Sequence, residues 1–128
     1  SILMKTPTIA IIGAGNMGAS LVGGLIKNGQ PADKIIATDP SADKRGYMKL
    51  TFGIHVTDDN VEAVKQANVV IVAVKPQVFE AVVLPLKDII VKQKPLVISI
   101  AAGVRIKNIQ DWLGGHASVV RVMPNTPA

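Results

Sequence analysis

Three observations predict an α/β fold in which a mainly parallel sheet of six strands carries helices on both faces. Short apolar runs rich in Val and Ile recur along the chain, segments of helical period lie between them, and Gly, Pro, Asp and Asn mark the junctions. An apolar run without alternation suits a strand buried on both faces, which is how strands of a parallel sheet sit beneath their crossover helices. A length of 128 residues suits one domain with its own core.

The elements follow in order. Thr8 to Ile12 forms the first strand, and a helix from about Asn16 to Asn28 stops at Gly29, a residue suited to the left-handed conformation beyond a helix end. Ile35 to Thr38 is the second strand. Ser41 or Asp43 caps a helix running through Leu50, Ile54 to Val56 is a short third strand, and Asp58 or Asp59 caps a third helix. Val69 to Val74 and Leu96 to Ser99, the fourth and fifth strands, are the most apolar and are expected at the centre of the sheet. Ile109, Trp112 and Leu113 share a helical spacing that reads as core, Gly114-Gly115 ends their helix, and Val119 to Val122 is the sixth strand.

Composition narrows the function. With no cysteine there is no disulfide, thiolate zinc site or thiol nucleophile. His55 and His116 are far apart, no carboxylate cluster accompanies either, and no metal site is expected. His55 alternates with Ile54 and Val56 and reads as exposed, as does His116. A net charge of +5 favours anionic partners, but aromatics at 3% and the lack of a Lys/Arg block favour a phosphate-bearing small ligand over nucleic acid. No apolar stretch approaches the ~20 residues of a spanning helix. No apolar signal core lies in Ser1 to Pro7, so a cytoplasmic protein with no membrane partner is expected.

Gly13-Ala14-Gly15-Asn16-Met17-Gly18 stands directly behind the first strand and opens the first helix. The pattern GxGxxG by itself is weak, but here a second strand follows and ends in Asp39, 21 residues beyond Gly18. That context is the dinucleotide fingerprint of the Rossmann-type doubly wound fold. Gly13 permits the tight turn, Gly15 lets the backbone approach a pyrophosphate, Gly18 allows helix to pack on strand, and the helix N-terminus offers free N–H groups. Asp39 is suited to accept hydrogen bonds from ribose hydroxyls. The glycines also suit a turn built for packing alone. Lys75 and Pro76 fall where the fourth strand ends, at the edge where such sheets bind ligands, although Lys75 also reads as a solvated lysine.

Four stretches, "IGAGNMG" (Ile12 to Gly18), "AVKPQ" (Ala73 to Gln77), "SIAAGV" (Ser99 to Val104) and "RVMPNTPA" (Arg121 to Ala128), occur in the order found in pyrroline-5-carboxylate reductases. The chain resembles the N-terminal domain of that family over essentially its whole length. The resemblance implies NADPH or NADH as cofactor, 1-pyrroline-5-carboxylate as the small-molecule substrate, and hydride transfer to its C=N carbon to give L-proline. It also implies a helical C-terminal domain, absent from this chain, that dimerises and completes the substrate site.

Carried onto this sequence, the resemblance makes Ile12, Gly13, Ala14, Gly15, Asn16 and Met17 the phosphate turn. Asn60 becomes a contact to the adenosine side, with Ala73, Val74, Lys75 and Pro76 flanking the ribose. Ile100, Ala101 and Ala102 pass beside the nicotinamide, and Asn125 with Thr126 lines its imine end. The small residues at 100–102 equally suit tight sheet packing. No residue is assigned a catalytic acid role. The chain departs from its family at Asp39, where members often carry Ser or Thr and favour NADPH; Ser41, Lys44 and Arg45 follow as a hydroxyl and two cations. A sibling imine or hydroxyacid oxidoreductase of the same build, or a non-catalytic nucleotide sensor, shares the glycine turn.

Overall fold

The computed structural model describes residues 5–123. Strands β1 (Ile9–Ile12), β2 (Ile35–Thr38), β3 (His55–Thr57), β4 (Val69–Val72), β5 (Leu96–Ser99) and β6 (Ser118–Arg121) form one sheet in the order β3-β2-β1-β4-β5-β6. Every neighbouring pair is parallel. The chain therefore winds outward from β1 in one direction, returns, and winds outward from β4 in the other, which is the doubly wound topology expected.

Strand β1 shows why both faces are covered. Ile9 and Ile11 face a layer containing Val22 of α1 (Asn16–Lys27) and Met48 of α2 (Ala42–Phe52). Ala10 and Ile12 face the opposite layer with α3 (Asn60–Lys65), α4 (Pro76–Val83), α5 (Lys87–Gln93) and α6 (Ile106–Trp112), where Val64, Phe79, Ile90 and Ile109 are buried. Successive side chains of a strand point to opposite faces, so a strand buried on both sides must be apolar at every position. Trp112 joins the core as expected, half-buried against Phe79 with ring centroids 6.2 Å apart.

The expected place of the fifth strand is corrected. The two middle strands are β1 and β4, while β5 lies one step out, with Leu96 36% exposed and Ile98 only half-buried. Every covered strand of a parallel sheet is apolar, so apolarity cannot rank them; the direction of winding sets their order.

The helix boundaries follow local chemistry. Asn28 and then Gly29, at φ +102°, end α1. Ser41 caps α2 by accepting the Lys44 N–H at 3.2 Å, and the helix continues two residues past Leu50 to Gly53, at φ +70°. Asp59 caps α3, its Oδ1 accepting from Val61 N–H at 3.0 Å and Glu62 N–H at 3.2 Å. Between β4 and β5 lie two helices not read from the sequence, α4 and α5, separated by a tight turn at Leu84–Leu86 with Pro85 inside it. His55 and His116 are both exposed.

Thr38 closes β2 at 1% exposure, and its Oγ1 is the buried side-chain oxygen without a partner among the described residues. A buried hydroxyl that makes no hydrogen bond loses its hydration without compensation. Thr38→Val, which keeps the branched shape, should therefore stabilise the domain by about 1 kcal/mol. Chemical denaturation of the two proteins checks this; a lower midpoint for the variant would show that the hydroxyl has a partner.

Candidate cofactor-binding site

The register of the sheet sets out the site. Ile12 pairs with Thr38 and with Val72, Val72 pairs with Ser99, and Ser99 pairs with Arg121. One step further, Gly13, Asp39, Ala73, Ile100 and Val122 stand in a single row at the carboxyl edge. The ladder extends into that row: Gly13 N–H donates to Thr38 O at 2.9 Å, Ala73 N–H to Ile12 O at 2.8 Å, and Val122 N–H to Ser99 O at 2.9 Å. Between β1 and β4 the strand order reverses, so α1 and α4 leave toward opposite faces and open a crevice there. This is the position at which open parallel sheets bind ligands.

The glycines of the first turn have separable roles. Gly13 adopts φ +107°, and a Cβ built on it would lie 2.7 Å from the Ala73 carbonyl oxygen. A Cβ on Gly18 would overlap the Gly13 carbonyl oxygen. Both positions are closed to any side chain by the backbone itself. Gly15 differs: its φ of −76° and ψ of −168° suit any residue, and a Cβ there meets nothing within 4 Å. The space above Gly15 is not needed by the fold, and it lies where α1 begins. No side chain caps α1, so its first-turn N–H groups at Asn16 and Met17 are left for another acceptor.

Two clefts flank this turn. One, of about 370 Å³, is lined by Met17, Ala73 to Pro76, Ile100 to Ala102, and Met123. The other, of about 300 Å³, runs between α1 and α2 and is lined by Ala14 to Asn16, Ala19, Asp43, Lys44 and Tyr47. The first gathers the residues expected on the ribose and nicotinamide side. Within it Ile100 and Ala101 are buried, Ala102, Lys75 and Pro76 are exposed, and Pro76 is the first residue of α4. Ser99 shapes the turn beyond β5: its buried hydroxyl accepts the Ala101 N–H at 3.3 Å. Ile12 is 1% exposed and its side chain belongs to the core, so only its backbone is offered to the edge.

Asp39 is already engaged. Its Oδ2 accepts from Ala14 N–H at 3.0 Å and its Oδ1 from Ser41 N–H at 2.9 Å. Arg45 is no solvated cation either, since its Nη1 donates to the carbonyl oxygens of Asp39 and Pro40 at 2.9 and 3.0 Å. Lys44 is exposed and faces the cleft between the helices. Asn60 opens α3 and lines a separate cleft with Asp59, Val82 and Pro85, sharing neither of the two beside the glycine turn. Asn125 and Thr126 lie outside the described residues. Sequence reasoning missed Tyr47 and Met123; the i, i+3 and i, i+4 spacing of Lys44 and Asp43 to Tyr47 placed the former on the face of α2 toward the turn.

The sequence model of a family described as NADP oxidoreductase, coenzyme F420-dependent, matches residues 8–103. The chain belongs to this family. The matched span starts at the first strand and ends in the turn that Ser99 shapes, so it contains the glycine turn, Asp39 and both flanks of the crevice. The chain is also 50% identical over 125 residues to a pyrroline-5-carboxylate reductase of Pseudomonas aeruginosa, covering 98% of this chain and 45% of that protein. The solved structure of a pyrroline-5-carboxylate reductase from Coxiella burnetii superposes with a TM-score of 0.91 at 45% identity, over 96% of this chain and 46% of that one. The pyrroline carboxylate reductase of Plasmodium falciparum, solved with NADP bound, gives a TM-score of 0.82 at 25% identity, over 97% of this chain and 44% of that one. The chain thus spans about half the length of the relatives it matches.

The residues of the crevice fit a nicotinamide dinucleotide. The turn has uncapped N–H groups for phosphate, open space at Gly15 for its approach, and small or backbone-only surfaces at Ala73 and Ala101 for flat rings. The two classes of glycine should respond oppositely. Gly15→Val should stay folded, losing at most about 1 kcal/mol at the α1 N-cap, while affinity for NADPH and NADH falls at least tenfold, about 1.4 kcal/mol. Gly18→Ala should lose about 2 kcal/mol of stability through overpacking against Gly13. Thermal melts paired with nucleotide titrations separate the two, and a Gly15→Val protein that binds like wild type would remove the pyrophosphate from this turn.

Proposed function

We propose that the chain is the dinucleotide-binding domain of a pyrroline-5-carboxylate reductase, which reduces 1-pyrroline-5-carboxylate to L-proline. The observation that carries this reading is the single row of Gly13, Asp39, Ala73 and Ile100 at the reversal of strand order, in a chain 50% identical to one such reductase over 125 residues. When bound, NADPH or NADH supplies the hydride for the C=N carbon. The chain's own work is to bind and orient. Asn16 and Met17 N–H groups receive the pyrophosphate at the start of α1, and Gly15 admits it. Ala73, Val74, Lys75 and Pro76 would flank the ribose on the β4 side. Ile100, Ala101 and Ala102 form a low wall of the cleft that would hold the nicotinamide and shield it from water.

A protonated cyclic imine is already electrophilic, so no nucleophile from the protein is required. The rest of the site is read as belonging to a helical domain, which pairs two subunits and closes the second wall over the substrate. The protein is read as cytoplasmic; among the described residues no helix is long and apolar enough to cross a membrane.

The full-length protein, given 1-pyrroline-5-carboxylate and a reduced nicotinamide nucleotide, should consume the nucleotide's absorbance in step with proline formed. Tight nucleotide binding without proline formation would move the reading to another imine or hydroxyacid substrate. Cofactor choice follows from the end of β2. A carboxylate there tolerates ribose hydroxyls and repels a 2′-phosphate, against which Lys44, Arg45 and Ser41 offer compensation. NADH should be accepted at least as well as NADPH, and Asp39→Ser should shift the ratio of affinities toward NADPH by about tenfold, about 1.4 kcal/mol. A strong NADPH preference unmoved by the substitution would give the 2′-phosphate to Ser41 and Lys44.

A further inference from the structure

We infer that Asp39 is a positioning residue for the phosphate-binding turn, bracing it through the Ala14 N–H, in addition to any contact it makes with a ribose. The inference rests on the dinucleotide reading and deepens it. Packing holds this turn at the backbone of Gly13 and at the buried side chain of Ala14, but its glycines are costly to order, since glycine loses more conformational freedom on ordering than any other residue. A bond to the backbone between Gly13 and Gly15 adds to that hold. The Asp39 carboxylate reaches across from the end of β2 and accepts the Ala14 N–H at 3.0 Å from the middle of that turn. Its other oxygen accepts the Ser41 N–H at 2.9 Å, at the residue that caps α2. Both bonds are charge-assisted and join the two loops that border the crevice.

Asp39 is itself held. Arg45 Nη1 grips its carbonyl oxygen at 2.9 Å and that of Pro40 at 3.0 Å. Asp39 N–H reaches Thr57 O at 3.4 Å, and Ser41 O accepts the Arg45 N–H at 3.1 Å, so the backbone around the carboxylate is tied to β3 and to α2. A carboxylate has about four acceptor sites and the brace uses two. The remaining two stay available for ribose hydroxyls, so the same side chain can order the turn before the nucleotide arrives and meet it afterwards. Ordering the turn in advance removes a cost that binding would otherwise bear.

The brace predicts a sign opposite to simple electrostatics. Removing a negative charge beside an anion site should tighten anion binding if charge is all that matters. If the carboxylate holds the turn, removing it should loosen binding even of an anion that carries no ribose. The test uses the full-length protein, with Asp39→Ala, which leaves no acceptor, and Asp39→Asn, which leaves one oxygen. Calorimetry measures inorganic pyrophosphate, and amide hydrogen exchange follows Ala14 alongside the β1 and β4 amides. Asp39→Ala should bind pyrophosphate about tenfold more weakly than wild type, with Asp39→Asn between them. The Ala14 amide should exchange faster in Asp39→Ala while strand amides keep their protection, which separates a loosened turn from general destabilisation. Pyrophosphate bound as well as or better than by wild type in Asp39→Ala overturns the inference, as does unchanged exchange at Ala14. Failure of the wild type to bind either NADPH or NADH instead overturns the dinucleotide reading, and the brace's purpose with it.

Discussion

The end of β1, the first turn of α1 and the end of β4 meet in a space that has no room for a methyl group. Gly13 lies against the Ala73 carbonyl and Gly18 against the Gly13 carbonyl, backbone on backbone. Because neither wall is a flexible side chain, the constraint cannot be relieved by a rotamer change. It fixes how closely α1 approaches the sheet, and so where its uncapped N–H groups stand relative to the row of residues at the carboxyl edge. The parallel register then brings Asp39, Ala73 and Ile100 level with Gly13. A crevice assembled from strand ends in this way inherits the precision of the sheet, which loops alone do not provide.

Much of this was legible in the sequence because its signals are local. Six apolar runs marked six strands, and Gly29, Ser41 and Asp59 marked helix ends through chemistry confined to a few residues. The fingerprint was legible because a strand, three spaced glycines, a helix and a distant acidic residue must coincide. Strand order was less so: β5 reads as apolar as β4 and yet lies further out, since winding direction is a property of the whole chain. No helix is read from the sequence between β4 and β5, where α4 and α5 are separated by the short turn holding Pro85.

At the site, the sequence identified residues better than it identified their partners. Asp39 reads from spacing as a ribose acceptor, but its bonds to Ala14, 25 residues back, and to Ser41 depend on how the two loops converge. Arg45 reads as one of two cations following Asp39, yet one turn into α2 it points back at the carbonyls of Asp39 and Pro40. Only the angle between β2 and α2 brings that about, and no periodicity encodes it. The Ser99 hydroxyl is a similar case: a serine among small residues looks incidental until the turn it folds places Ala101 and Ala102 along the cleft.

The charge of the chain has its own logic in this arrangement. With a net charge of +5, ion pairing within the fold is nevertheless slight: among the described residues the salt bridge is Lys107 to Asp111, 83% and 59% exposed, on one face of α6. An exposed pair of that spacing is worth about 0.3–0.5 kcal/mol. Stability comes instead from two apolar layers on either side of a fully covered β1. The cations are then free for other uses, and Lys44, Arg45 and Lys75 stand at the edge where α2 and α4 begin. One of them is turned inward to hold backbone carbonyls, and two remain exposed beside the clefts. An anionic ligand at that edge would meet the exposed Lys44 and Lys75, on which the packing of the core does not depend.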